Sequence, residues 1–116
     1  MSHEVEMLKR LYAWFNARDM ESVLASMHHD VVWANGMEGG HVHGRDQVRS
    51  YWRRQWAMVD PRVDPVAFSG ATEGEITVEV HQVVRDLHGS VLVDKMVGHV
   101  FRIENGLIKR FDIRDP

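Results

Sequence analysis

An imidazole and a carboxylate on adjoining strands of one hairpin are the residues best placed to do chemistry. Asn105-Gly106 separates two β-prone runs and is the strongest short signal for a two-residue turn. Such a turn pairs Glu104 with Leu107 and Ile103 with Ile108, and continuing the count sets His99 opposite Asp112. That pair falls at a non-hydrogen-bonded position, where Cβ atoms are about 4.5–5.5 Å apart. Val97, Phe101, Ile103 and Ile108 share the face, together with Arg110. The pair therefore reads as an acid/base couple in a largely apolar setting. A plain cross-strand ion pair on a solvated face would look the same. The opposite face, with Val100, Leu107, Phe111 and Ile113, is no less apolar. A three-residue loop with a bulge would move His99 opposite Phe111 and turn Asp112 outward.

Other polar residues add to this pair. Asn35 ends a short β-prone run on the side of Val31 and Trp33, where its amide could both donate to and accept from a substrate carbonyl. It is also the first residue of an Asn-Gly turn dipeptide. Tyr12 lies on a helical stripe and could turn its hydroxyl inward or simply pack in the core. His41 and His43 point the same way on a strand, but no third ligand follows at a diagnostic spacing, so we expect no metal. His28-His29 reads as a helix C-terminus, where histidine complements the dipole.

The elements that must position these groups follow from periodicity. Leu8, Leu11, Tyr12 and Phe15 form one stripe of a first helix. Asp19 is an N-cap for a second helix, with Met20, Val23, Leu24 and Met27 on its face. Short extended pieces follow over 31–35 and 41–43. A third helix carries Val48, Tyr51, Trp52, Trp56 and Val59 on one face and is closed by Pro61. Strands are expected over 63–69, 76–85, 91–103 and 107–113, with a Gly-rich turn over 70–74. Helices first and antiparallel strands later imply an α+β domain, its sheet curling around the helices to cover their Trp-rich stripes. Trp33, Trp52, Trp56 and Phe101 are the expected apolar walls of one pocket, and neither a cofactor nor a metal is called for.

The chain has 116 residues, 44% hydrophobic and 27% charged, which suits one domain spanning 1–116. A net charge of -3, with both signs interspersed, argues against nucleic acid as a partner. No apolar run is long enough to span a bilayer, and residues 1–6 lack the basic and apolar regions of a secretion signal. With no cysteine, disulfides and thiolate chemistry are excluded. The expected location is cytoplasmic. The long strands are apolar on both faces, and the helices can cover only one, so a homodimer through the outer sheet face is expected.

Three stretches resemble a known superfamily. Tyr12 through Phe15-Asn16-Ala17-Arg18-Asp19-Met20-Glu21 to His29-Asp30-Val31-Val32-Trp33 is similar to the start of nuclear transport factor 2-like domains. Gly44-Arg45-Asp46-Gln47-Val48 resembles their entry into the third helix. Val100-Phe101-Arg102-Ile103-Glu104-Asn105-Gly106-Leu107-Ile108, continuing to Asp112, resembles the SnoaL-like branch. The resemblance implies a cone of curved, mainly antiparallel sheet with three N-terminal helices on its concave face, usually a homodimer through the sheet. It implies a ligand pocket at the cone's mouth. In SnoaL-like polyketide cyclases an Asp on the last strand is the acid/base group, helped by a His on the preceding strand and an Asn after the first strand. Asp112, His99 and Asn35 fall on those positions. The ketosteroid isomerase branch departs, with an Asp where this chain has Asn35 and its Tyr near Leu11, one residue from Tyr12. The Asp-Arg-Asp set of limonene epoxide hydrolases has no counterpart here. The implied activity is cofactor-independent acid/base isomerisation or cyclisation of a small, largely apolar carbonyl compound. The alternative is a non-catalytic, dimeric ligand-binding or scaffold domain, since fold does not imply function.

Overall fold

A computed structural model describes residues 3–72 and 74–115. The order is α1 (His3–Asn16), α2 (Met20–Ala25), β1 (Met27–Ala34), β2 (His41–His43), α3 (Gly44–Met58), β3 (Val59–Thr72), β4 (Glu75–Asp86), β5 (Val91–Glu104) and β6 (Leu107–Arg114). The protein is α+β. Its strands form one curled, unclosed sheet in the order β2-β1-β6-β5-β4-β3, and β3 to β6 make the expected antiparallel meander.

The first helix buries Leu8, Leu11 and Tyr12, the stripe that the 3.6-residue period requires. It ends at Asn16, and Arg18 just beyond has a φ of 64°, the left-handed conformation usual after a helix end. Arg18 is not glycine, so this backbone carries strain, which its side chain offsets. The guanidinium donates to the Phe15 and Pro61 carbonyls at 3.2 and 2.7 Å, pairs with Asp60 and lies over the Trp56 ring. Asp19 then caps α2 as expected, accepting from the Ser22 backbone N–H at 3.3 Å and its hydroxyl at 2.7 Å.

One side chain fixes where α1 sits. Asn16 donates to the Val63 carbonyl at 2.8 Å and accepts from its N–H at 3.0 Å. Val63 belongs to the edge strand β3, so the carboxamide takes up backbone groups that no neighbouring strand pairs. Pro61 and Pro65 are tolerated in β3 for the same reason.

Two expectations about elements are overturned. The second helix ends at Ala25, and Met27 begins a strand, so His28 and His29 lie on β1 and not at a helix C-terminus. The cause is tertiary, because β1 runs parallel to β6, with Met27 opposite Ile108 and the Ile108 N–H on the Ser26 carbonyl at 2.9 Å. Likewise α3 passes directly into β3 at Val59, two residues before Pro61.

The Asn105-Gly106 turn forms as expected, with φ values of 53° and 77°, and Glu104 faces Leu107 while Ile103 faces Ile108. The register beyond does not follow. Ile103 pairs with Ile108 but Arg102 pairs with Arg110, so Lys109 is an extra residue in β6. The pairing of β1 with β6 is irregular at the same level, between Met27 and Val32, and Lys109 reaches Asp30 at 2.7 Å. His99 consequently faces Ile113, and Asp112 faces Val100. The shift is opposite in sense to the one a three-residue loop would cause.

Candidate functional site

A cavity of about 390 Å³ lies between the helices and the sheet, within the usual size range of small-molecule sites. Its walls are aromatic. Trp33 stacks on Phe111 with centroids 4.1 Å apart, and Trp52 meets Trp33 edge-on at 5.4 Å. Phe101 and Phe15 complete this part of the lining. Trp33, Trp52, Phe101 and Tyr12 thus line one cavity. Trp56 does not reach it. Its ring stacks behind Trp52 at 5.7 Å, with Phe15 on one side and the Arg18 guanidinium over it.

Two ionisable groups meet at the cavity wall. Tyr12 Oη lies 2.7 Å from His99 Nδ1, and both residues are buried. Helix α1, anchored by Asn16, brings the phenol; the inward alternation of β5, with Val97, His99, Phe101 and Ile103 all buried, brings the imidazole. Burial pulls the His99 pKa from 6.5 down to about 4, because the charged imidazolium would lose its hydration. Burial likewise pushes the Tyr12 hydroxyl well above its usual range. Both are neutral near pH 7. The bond between them leaves two tautomers open, with the shared proton on oxygen or on Nδ1.

Asp112 is not the partner of His99. The extra residue in β6 inverts the alternation, so Phe111 and Ile113 face the cavity and Asp112 faces outward. There its carboxylate accepts from Arg110 Nε and contacts His41 Nε2, each at 2.7 Å. Partial burial pushes its pKa up, but the hydrogen bonds from Arg110 and His41 outweigh that and hold it below the ordinary value. Asn35 is buried yet committed to its turn. Its Oδ1 accepts from the N–H groups of Met37 and Glu38 at 3.0 and 2.9 Å, and its Nδ2 donates to the Glu38 carboxylate at 3.0 Å. Neither residue lines the cavity.

Sequence reasoning missed four polar lining residues: Tyr51, Gln55, Gln82 and Lys95. Tyr51 Oη accepts from the Gly36 N–H at 3.0 Å and from Gln55 Nε2 at 3.3 Å, while the buried Gln55 Oε1 has no partner. The signals were present, since Tyr51 and Gln55 are four apart on one helix face and Gln82 and Lys95 continue the inward alternation of their strands. His41 is bound to Asp112, and the His43 backbone N–H donates to Gln47 at 2.7 Å. A different group, His28, His29 and Asp30, has ligand atoms close enough to share an ion, but Asp30 already holds Lys109.

Residues 8–111 match the family model of the SnoaL-like domain. The chain belongs to the SnoaL-like domain family. Among solved structures, this SnoaL-like chain superposes on an NTF2-like protein of unknown function from Burkholderia pseudomallei. The TM-score is 0.88 at 28% identity, covering 100% of this chain and 92% of that one. It also resembles a protein from Xanthomonas campestris assigned to the polyketide cyclases, with a TM-score of 0.80 at 22% identity over 95% and 87% of the two chains. A Mycobacterium tuberculosis protein solved in complex with estradiol-17beta-hemisuccinate gives 0.81 at 18% identity over 96% and 92%. No curated protein sequence matches this SnoaL-like domain. Among the described residues, no helix is long and apolar enough to cross a membrane.

Proposed function

We propose that the cavity takes a small, largely apolar carbonyl compound and that the protein isomerises or cyclises it by acid/base chemistry without a cofactor. The observation that carries this reading is the Tyr12–His99 pair, two neutral buried groups 2.7 Å apart on the wall of an aromatic cavity. When Nδ1–H donates to Tyr12 Oη, the phenolic proton is free for a carbonyl oxygen and the Nε2 lone pair is free to act as base. Nε2 then takes a proton from the carbon next to the carbonyl, and Tyr12 stabilises the oxygen that gains negative charge. Return of the proton to another carbon completes an isomerisation. Attack of the enolate carbon on a second carbonyl of the same molecule, followed by protonation of that oxygen, completes a cyclisation. Trp33, Trp52 and Phe101 supply the apolar walls. No step falls to Asp112 or Asn35, whose side chains are engaged elsewhere.

The relatives support the ligand class. One is assigned to the polyketide cyclases, and another holds a steroid ester. The reading includes one domain over 1–116 in the cone-shaped arrangement, with the helices on the concave side. The core supports this placement, since it joins Leu8, Val23 and Val48 from the three helices to Val78 and Phe101 of the sheet. It also includes a homodimer through the outer sheet face, where Val66 and Met96 are exposed. Sedimentation showing only monomer at micromolar concentration would count against that dimer.

A second reading, a non-catalytic ligand-binding domain, is favoured by one observation: no carboxylate lines the cavity among the described residues. Exchange of the α-protons of 1-tetralone in D2O, followed by mass spectrometry, separates the two. Protein-dependent exchange that is lost in His99→Gln while 1-tetralone still binds supports the enzyme. Binding with no exchange above the protein-free rate supports the binding module.

A further inference from the structure

Lys95 is the single charged side chain among the described residues that line the cavity. Along β5 the residues Val97, His99, Phe101 and Ile103 turn inward and are buried, and Lys95 occupies the next inward position toward the strand's start. A lysine there interrupts an otherwise apolar inward row, bar His99. It is exposed, so it marks where the cavity opens to solvent. Its cross-strand neighbour is Gln82, which also lines the cavity. Ion pairs elsewhere on the surface are plentiful, yet Lys95 has no carboxylate partner among the described residues, and Gln82 has no hydrogen bond there. A cation on a cavity rim with no internal counter-ion and an amide beside it form a receptor for an external anion.

We propose that the ligand of this cavity is an amphipathic carboxylate, its ring system among Trp33, Trp52 and Phe101 and its carboxylate on Lys95 and Gln82. The proposal rests on the cavity being the ligand site and names the chemical class that enters it. His99 and Lys95 lie four residues apart on β5, so their Cα atoms are about 13 Å apart. A ligand that reaches both ends therefore carries two or more rings rather than one.

The test compares biphenyl-4-carboxylate with biphenyl-4-carboxamide, alike in shape and different in charge, by calorimetry at pH 7 and low salt. Wild type should bind the carboxylate about two- to fivefold more tightly, the range for a half-exposed ion pair, and added salt should shrink the preference. Lys95→Met should erase the preference, weakening the carboxylate more than the carboxamide. Equal binding of both probes to wild type, or a preference that survives in Lys95→Met, overturns the carboxylate proposal and leaves the cavity as the ligand site. Failure of both probes to bind wild type overturns the cavity reading and this inference with it.

Discussion

Acid should destabilise this protein through His99 in a way that one substitution removes. In the unfolded chain the imidazole titrates at about 6.5, whereas burial holds it at about 4 in the fold. Between those values the unfolded state carries a proton that the folded state lacks, so stability falls as pH drops. The loss begins near pH 6.5 and saturates below pH 4. Linkage puts the cost at about 2–3 kcal/mol at pH 4.5 and close to zero at pH 7.5. Replacing His99 with Leu removes the titrating group. It also strands the Tyr12 hydroxyl, but that cost is the same at every pH and cancels in the comparison. Urea unfolding followed by tryptophan emission, repeated from pH 7.5 down to 4.5, reads the effect directly. The stability lost over that range should be about 2–3 kcal/mol smaller in His99→Leu than in wild type. Contributions from the rest of the chain are common to both proteins and cancel in the comparison. Equal pH dependence in the two would mean that His99 is hydrated or already charged in the fold, and the neutral Tyr12–His99 pair would be refuted.

Further outcomes follow from single contacts. Tyr12→Phe leaves His99 Nδ1 without its partner and should cost about 1–3 kcal/mol in urea unfolding, besides slowing any α-proton exchange. Asp112→Asn should change stability by less than about 1 kcal/mol and leave 1-tetralone affinity within twofold, because its bonds to Arg110 and His41 lie outside the cavity. A large loss of cavity binding in that variant would mean that the outward register is wrong. Gly106→Ala should lower the thermal midpoint, at a cost of about 1 kcal/mol, since φ of 77° penalises a Cβ although nothing else crowds the site. Asn16→Ala should destabilise by about 1–3 kcal/mol and weaken cavity ligands, because α1 loses its tie to β3.

Where chemistry was local, the residues alone were enough. Helical spacing placed Leu8, Leu11 and Tyr12 on one buried face, Asp19 capped its helix, and Asn105-Gly106 made its two-residue turn. Each of these depends on neighbours within a few positions. Inward alternation on β5 likewise put His99 and Phe101 on a common face with Val97, which is a property of the strand itself. What lay beyond sequence was which long-range partner each element met. Parallel pairing of β1 with β6 ended α2 early and coincided with the extra residue at Lys109. That one residue carried Asp112 from the cavity side to the outer side and brought Phe111 and Ile113 inward in its place. Strand register has a period of two, so a single bulge reverses every side chain after it. Nothing in the local sequence of β6 marks the bulge, because it forms where β6 meets two neighbours at once. The same holds for the site: the sequence supplied Tyr12 and His99 separately, and only the packing of α1 against the sheet joined them across 87 positions of chain.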